Sequence, residues 1–413
     1  MKLVLAIPSA RLPRAPSFHI ASAAPKVRVP FGSLLLEPRS LKKWLFIWTF
    51  CLYLAFCLGC FFAFEQPRLN HQSYFRFGAD SPTYWDDVDY RSDHPGSGSS
   101  LVGFGTNLFG PVAIGTVLRS GLAVCLFNTV LFFIAVEIAC TIPGVDRYRL
   151  LFLLMICSET APALVTLNKE ILVLFSVLLL AKYVYSERRS AFLLVPVLVA
   201  SVLTRWEQVG IILLFLFLQR KGSVFQRNPR FAVASVVAAL TVIYSLIAMI
   251  PGSGIAGFMA YTKGANTIAK LDAIQAHFGF PLVMAPKIIL DLSGQLIRPV
   301  FFYNWLSAYG FTDIHSALII PLFSMVLIPV LVIAYRKGKL NPRRPIALLI
   351  IIYLLVVAVT PFVQPRYNYF VYVLLALELA KKEEPEEELE FKEAAAPSPG
   401  WLAPGHAEGT GSY

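Results

Sequence analysis

Long apolar runs separated by short polar or basic stretches make up most of the chain. The runs extend over about 15 to 25 residues, which is the length that α-helices need to cross a hydrocarbon core about 30 Å thick. The pattern therefore predicts an all-α, polytopic integral membrane protein with about ten transmembrane helices. These helices are predicted at about 44–64, 111–139, 150–167, 170–186, 190–204, 208–219, 231–250, 315–335, 345–363 and 367–381.

The short basic loops set the predicted orientation. If the N-terminus is inside, all of these loops fall on the inner side, where Lys and Arg are enriched in membrane proteins. An even number of crossings then also leaves the C-terminus inside, so we expect an N-in, C-in protein. The basic loops lie near 147–149, 182–189, 220–230, 336–344 and 381–382.

Stretch 190–219 admits two interpretations, one long helix or two short ones. A single helix would place Arg205 and Glu207 in the middle of the membrane and move two of the basic loops outside. Two helices that meet in a water-accessible cavity avoid both problems, although each is shorter than a full span. We therefore expect two short helices.

The same topology predicts two long outer segments and two cytosolic tails. Segment 65–110 is polar and aromatic, and 251–314 contains amphipathic stretches such as 286–305, which we expect along the outer interface. The predicted organisation is a disordered basic tail at 1–40, a transmembrane domain at 41–381 and a disordered acidic tail at 382–413.

Composition supports a membrane protein. The chain is 57% hydrophobic and 15% charged, with a mean hydropathy of +0.65, which excludes an ordinary soluble domain. The net charge of +11 does not indicate a nucleic-acid partner, because the basic residues mark the inner loops and the segment from Lys381 onward contains 8 Glu and 3 Lys. The six cysteines lie in or beside apolar runs and are interpreted as packing residues.

Four polar clusters, at 78–84, 168–170, 205–208 and 364–367, fall on the outer side although they are far apart in sequence. Together they supply a carboxylate and three cations. A carboxylate can accept a proton from an attacking hydroxyl, and Lys and Arg can hold a phosphate as it leaves. This chemistry matches sugar transfer from a phosphate-linked donor. Because soluble nucleotide sugars are generally absent outside, we expect a lipid-linked donor.

Asp80 is the predicted catalytic residue, and an Asx turn that only shapes its loop is the alternative. The predicted substrate-binding residues are Tyr84, Lys169, Glu170, Arg205, Glu207, Arg366 and Tyr367. The alternatives are solvated loop tips at 168–170 and 364–366, and an internal ion pair between Arg205 and Glu207.

Two further groups of charged residues are weaker candidates. Glu159 and Arg119 either line the cavity or pair with each other across two helices. The acidic stretch 86–89 is either a solvated loop or a source of oxygen ligands for a divalent cation near Asp80, Asp86 and Asp87. No other metal or cofactor is predicted.

The arrangement resembles that of membrane glycosyltransferases of the GT-C type. The likeness consists of an early Asp in the first outer loop, short-looped helices, Leu203-Thr204-Arg205 at an outer helix start, and Pro365-Arg366-Tyr367 opening the last helix. Those enzymes use polyprenyl- or dolichyl-phosphate sugars and carry their catalytic carboxylate in the first outer loop. The resemblance implies that Asp80 is the base and that Arg366 and Tyr367 contact the lipid phosphate.

A second likeness is local. Phe75 to Asp80, followed by Tyr84, is similar to the Arg-Gly-x-Asp-x-x-x-Tyr segment of exopolysaccharide and O-antigen polymerases. The chain departs from the common GT-C pattern at Glu65, which stands alone where a paired acidic motif is usual, and it lacks a large soluble outer domain.

These observations predict a glycosyltransferase of the cytoplasmic (inner) membrane. It would transfer a sugar, with inversion, from a polyprenyl-phosphate-linked donor to a glycan, lipid or protein acceptor, in cell-surface polysaccharide synthesis. The alternatives are a polysaccharide repeat-unit polymerase, and a transporter or flippase for a lipid-linked or anionic solute.

Overall fold

The computed structural model describes most of the chain between residues 38 and 382. In that part every regular element is a helix, which confirms the predicted all-α class there. Residues 1–50 form one unit, of which 38–50 are described, and the chain from Cys51 onward forms a second. The described residues are 38–71, 76–78, 80–93, 109–186, 190–220, 222–248, 267–293, 313–360 and 365–382.

The described residues of the first half of the chain form ten helices. A π-helical turn, Phe61–Glu65, joins the first two into one continuous helical stretch. The ten are α1 (Pro38–Cys60), α2 (Gln66–Leu69), α3 (Ser81–Asp93), α4 (Phe109–Leu118), α5 (Gly121–Cys140), α6 (Arg147–Ile156), α7 (Thr160–Val165), α8 (Glu170–Tyr185), α9 (Ala191–Thr204) and α10 (Trp206–Leu218).

The second half adds seven helices in its described ranges. A π-helical turn, His315–Ile319, leads into α15, and a 3-10 turn, Pro365–Asn368, leads into α17. The seven are α11 (Val224–Arg227), α12 (Pro229–Ala248), α13 (Thr267–Phe278), α14 (Phe280–Ser293), α15 (Ile320–Arg336), α16 (Pro345–Val359) and α17 (Tyr369–Ala380).

The helical stretches have the apolar character of a membrane protein. By length and composition, four of them could cross a membrane, and three shorter helices are also apolar. The count of about ten crossings stays a prediction. The four long stretches are Ile47–Leu69, Gly121–Cys140, Pro229–Leu246 and His315–Arg336, and the shorter ones are Ala191–Thr204, Glu207–Leu218 and Pro345–Val359.

Helix α17 lies at the centre of the second unit. All of its residues are buried, and it packs against α6, α8, α15 and α16. A helix that is apolar on every face suits such a position. Basic side chains cap its C-terminal end. Arg149 donates a hydrogen bond to the carbonyl of Leu379, and Lys339 Nζ donates one to the carbonyl of Lys381, each at 3.4 Å. They satisfy carbonyls that a helix end leaves without an intrahelical partner.

Two predicted helices are broken. The run at 111–139 is divided between α4 and α5, because Arg119 adopts a left-handed conformation (φ 51°) and the Ser120 hydroxyl caps α5 by accepting from the amide of Ala123 at 3.4 Å. The run at 150–167 is likewise divided by residues 157–159. Stretch 190–219 forms two short helices, as predicted, with Arg205 between them.

The two predicted outer segments contain helices where the sequence predicted mainly loops. Helix α3 lies within 65–110, and the α13–α14 hairpin lies within 251–314. Of the amphipathic stretch expected at 286–305, residues 286–293 belong to α14, which packs on α16 and buries Lys287 and Asp291, and residues 294–305 lie outside the described residues. The tails predicted at 1–40 and 382–413 lie almost wholly outside the described residues.

Candidate functional site

The predicted site residues lie where helices begin or end. Lys169 precedes α8, Arg366 lies in the 3-10 turn before α17, and Asp80 immediately precedes α3. Arg205 both ends α9 and precedes α10, with an extended backbone (φ −153°, ψ 91°) that interrupts the helix. These breaks in helical structure therefore place charged side chains at positions that apolar side chains would occupy in a continuous helix.

Asp80 is the point at which three of these segments meet. Arg366 Nη1 donates to its Oδ1 at 3.0 Å, and Lys169 Nζ lies 3.8 Å from its Oδ2. The Tyr84 hydroxyl donates to Oδ2 at 3.4 Å, a long hydrogen bond. The Asp80 side chain keeps 27% of its surface exposed, so another molecule can still reach it.

A buried polar cluster fixes the loop that carries Asp80. Arg68 Nη2 lies 2.6 Å from Glu65 Oε1, and the Ser81 hydroxyl donates to the same oxygen at 2.8 Å. Gly78 lies so close to Thr166 that a Cβ at residue 78 would be 2.4 Å from the threonine hydroxyl oxygen. The loop is thereby held against both the first helix and the segment before α8.

A second buried network lies beside Asp80. Arg205 Nη2 donates to Glu170 Oε1 at 2.7 Å, and its Nη1 donates to the Tyr353 hydroxyl at 3.3 Å. That hydroxyl donates in turn to the backbone carbonyl of Tyr367 at 3.0 Å. Arg205 and Arg366 both lie over the Tyr367 ring, at 4.8 and 5.5 Å from its centroid. The network therefore joins α8, the α9–α10 junction, α16 and the 3-10 turn.

The cluster contains three cations, and the carboxylates around it balance them. Lys169, Arg205 and Arg366 face Asp80 and Glu170, and the exposed carboxylate of Glu207 lies at the edge of the adjoining cavity. Burial acts to raise the pKa of Asp80, but Arg366 and then Lys169 outweigh it, so the pKa lies below its usual value and the carboxylate stays ionised at neutral pH. Burial and the nearby Arg205 lower the pKa of Lys169.

A cavity of about 250 Å³ opens beside this cluster. Its polar part is formed by Lys169, Arg205 and Tyr353, and its apolar part by aliphatic side chains of α10 and α16. A site lined by both cationic and aliphatic side chains can accommodate an anionic group that is attached to an apolar chain. The lining residues are Lys169, Arg205, Glu207, Gln208, Ile211, Tyr353, Val356, Val357, Thr360 and Tyr367.

The structure brings together the residues that the sequence grouped. Direct contacts link Asp80 to Tyr84, Lys169 and Arg366, and Arg205 to Glu170 and Tyr367. Glu207 lines the cavity at its exposed edge. The ion-pair partner of Arg205 is Glu170, not the Glu207 that the sequence offered as an alternative.

Other predicted contacts are wrong. Arg119 does not meet Glu159: its guanidinium donates to the carbonyl of Thr116 at 3.3 Å and is exposed, whereas Glu159 Oε2 lies 3.2 Å from His315 Nε2 in a buried pair. Among the described residues, no three His, Cys, Asp or Glu side chains converge to hold a metal ion. Asp80, Asp86 and Asp87, the residues of the alternative cation site, do not form such a group, and the Asp80 oxygens face cationic side chains.

The sequence did not identify Tyr353 or His315, and it placed Gln208 in the 205–208 cluster without a role. Tyr353 is the one polar side chain in the apolar run of α16, and such a residue in a predicted span is a usable signal for a site. Gln208 Nε2 donates to the Ser176 hydroxyl at 3.3 Å, which ties α10 to α8. His315 begins a long apolar stretch, and its buried partner Glu159 lies 156 positions away in sequence, so no local pattern links them.

Comparisons with protein-family models, with curated proteins and with solved structures find no match. A functional assignment therefore depends on the geometry of this site.

Proposed function

We propose that the chain is a membrane glycosyltransferase of the GT-C type that uses a lipid-phosphate-linked sugar as its donor. One observation carries the proposal. A partly exposed carboxylate, Asp80, contacts Arg366 and Lys169 beside a cavity that is lined by cationic and by aliphatic side chains. The cations suit a phosphate, and the aliphatic side chains suit a polyprenyl chain.

The cavity lining supports a donor that lies in the membrane. Ile211 of α10 and Val356 and Val357 of α16 offer an aliphatic surface to the first isoprene units. Lys169 and Arg205 line the same cavity and would bind the phosphate. A soluble nucleotide sugar would gain nothing from the aliphatic part.

In the proposed reaction, Asp80 acts as general base. It accepts the proton of an acceptor hydroxyl while that oxygen forms a bond to the anomeric carbon of the donor sugar. The bond between the anomeric carbon and the phosphate oxygen breaks, and its electron pair leaves with the lipid phosphate. Lys169, Arg205 and Arg366 stabilise the charge that develops on the leaving group. Attack from the side opposite the phosphate inverts the anomeric configuration.

Arg366 has two anionic partners in this scheme. Without donor it binds Asp80 at 3.0 Å and keeps the pKa of Asp80 low, which makes the carboxylate a weak base. A donor phosphate would compete for the same guanidinium. As Arg366 turns toward the phosphate, the basicity of Asp80 rises, so the base is strengthened only when donor is present.

The wider assignment follows the sequence prediction. About ten crossings with both termini inside would place the Asp80 cluster on the outer face of a cytoplasmic membrane. The acceptor there would be a glycan, lipid or protein of the cell surface.

The direct test replaces Asp80 by Asn, which keeps the size of the side chain and removes its basicity. Membranes that contain the full-length protein are incubated with radiolabelled polyprenyl-phosphate hexoses and pentoses, and transfer to endogenous acceptors is measured. We expect Asp80→Asn to lower transfer at least 100-fold, the lower end of the usual contribution of a general base.

Asp93→Asn is the matched control, because Asp93 is an exposed carboxylate at the end of the same helix, α3. It should retain wild-type transfer and wild-type amounts in the membrane. Full transfer by Asp80→Asn would remove Asp80 from the mechanism. If the wild-type protein moves the labelled lipid across the membrane without transferring its sugar, the flippase alternative replaces the proposal.

A further inference from the structure

A second cavity, of about 320 Å³, lies at the other end of helix α16. Arg343 lies just before α16. Val356 and Val357, near the C-terminal end of α16, line the first cavity, which lies beside the Asp80 cluster and is called the Asp80 cavity below. The helix has 15 residues and is therefore roughly 22 Å long. Because Tyr353, in the middle of the helix, already lines the Asp80 cavity, the two cavities are separated by roughly half of the thickness of a hydrocarbon core.

Arginine dominates this second cavity, which we call the basic cavity. Arg227 ends α11, Arg230 lies in the first turn of α12, and Arg343 lies in the loop before α16. All three are exposed, and no carboxylate of the described chain pairs with any of them. Three guanidinium groups around one concavity, with no carboxylate partner among the described residues, make a site for an anion with several oxygens.

The backbone beside the arginines is held in place by local caps. The Asn228 side chain accepts from the amide of Phe231 at 3.3 Å, and the Asn341 side chain accepts from the amide of Arg343 at 3.1 Å. Both asparagines also line the cavity. The three arginines therefore project from fixed helix ends, which reduces the entropy lost when they bind a ligand.

Apolar groups next to the arginines place the basic cavity at a membrane surface. The rings of Phe225 and Phe231 stack with centroids 5.6 Å apart, and Phe231 is 48% exposed. Val224, on α11 with Arg227, is 65% exposed. Exposed apolar side chains beside exposed arginines are typical of a helix end at the level of lipid headgroups.

We propose that the basic cavity binds a phosphate group, supplied by the headgroup of an anionic phospholipid. Basic pockets between membrane helices on the cytoplasmic side bind phosphate-bearing headgroups. The inference does not depend on the proposed glycosyltransferase activity, because the site is separate from Asp80 and needs no sugar.

The test titrates the purified full-length protein, in detergent, with dihexanoyl phosphatidylglycerol and follows the midpoint of thermal unfolding. A ligand that binds only the folded state raises this midpoint in a concentration-dependent manner. Each arginine near an anionic headgroup contributes about fivefold in affinity, so Arg230→Gln with Arg343→Gln should weaken binding about 25-fold. Dihexanoyl phosphatidylcholine, which carries no net charge, should give a much smaller shift.

Arg220→Gln with Arg336→Gln is the control, since it removes the same charge from exposed positions outside the cavity. This variant should bind phosphatidylglycerol as the wild type does. Inorganic phosphate forms a separate arm: an equal shift supports the phosphate site and assigns it to free phosphate, whereas a shift with lipid alone assigns it to a headgroup. Equal affinity in the wild type and the cavity variant, or equal loss in both double variants, would overturn the proposal.

Discussion

Arg205 and Glu170 form an ion pair that is almost completely removed from solvent, with the two side chains 9% and 3% exposed. A charge left alone in such a place is far more costly than an exposed one, because no water replaces its partner. We expect Glu170→Gln to lower the free energy of unfolding by roughly 3 kcal/mol. The measurement is thermal unfolding of both purified proteins in one detergent.

The pair of Arg147 and Glu137 provides the control, because its N–O distance is equally short, 2.5 Å, but its side chains are 44% and 33% exposed. Glu137→Gln should lower stability by about 0 to 1 kcal/mol. If both substitutions have the same small effect, the Arg205 site is more hydrated than its burial implies.

At the scale of residues, the sequence identified charged groups but not their partners. Arg205 and Lys169 stood out because charge is rare inside apolar runs, and both lie in the cluster. Their partners lie 35 and 89 positions away, at Glu170 and Asp80, and no local periodicity reports contacts over such separations. The pairing of Arg119 with Glu159, one of the two alternatives that the sequence left open, is wrong for the same reason.

At the scale of elements, the α13–α14 hairpin supports the candidate site from the side. Lys287 Nζ lies 2.6 Å from Asp272 Oδ1 and donates to the carbonyl of Thr360, which also lines the Asp80 cavity. The Asn368 side chain, in the 3-10 turn of Arg366, donates to the carbonyl of Asp291 at 3.0 Å. The hairpin thus holds both the end of α16 and the turn that carries Arg366.

Asp291 gives this hairpin a measurable pH dependence. Burial raises its pKa to about 7, Lys287 opposes the shift and Asp272 adds to it. A carboxyl whose pKa is higher in the folded state stabilises that state at low pH and ceases to do so as pH rises toward 7. From pH 5 to pH 8 the wild type should lose about 2 to 3 kcal/mol that Asp291→Asn does not lose.

The measurement is the unfolding midpoint of both proteins in the same detergent at pH 5 and pH 8. Groups that titrate in both proteins cancel in the difference between them. Asp93→Asn, at an exposed position, should follow the wild type at both pH values. Parallel pH profiles for the wild type and Asp291→Asn would show that Asp291 is solvated.

Hydropathy predicted where helices are but not where they break. The runs at 111–139 and 150–167 are mostly apolar, and the helices break near their few polar residues, at Arg119 and at residues 157–159. A capping residue such as Ser120 is a weak sequence signal for a helix start, because the hydropathy of the apolar run that follows dominates the pattern. Helix α3 was missed for the opposite reason: its overall polarity indicates a loop, although Tyr84, Trp85 and Val88 share one face and pack into a buried cluster.

At the scale of the whole molecule, the basic loops and the candidate site belong to different ends of the helices. Lys339 and Arg149 cap the C-terminal end of α17, whereas Arg366 precedes its N-terminal end. The sequence could predict this separation because Lys and Arg are enriched in the loops on the inner side of a membrane. It could not predict that α17 would be the buried centre, since its 12 residues look like any other apolar run.

This separation predicts which residues a membrane-impermeant maleimide can reach. Asp93→Cys and Lys270→Cys, exposed positions in the two outer segments, should be labelled on intact cells. Arg220→Cys and Arg336→Cys, exposed positions in basic loops, should be labelled only after the membrane is permeabilised. The wild-type chain, with its six native cysteines, gives the background. Labelling of Arg220→Cys on intact cells would show that α9 and α10 together cross the membrane once, which would move the following basic loops outside and overturn the N-in, C-in arrangement.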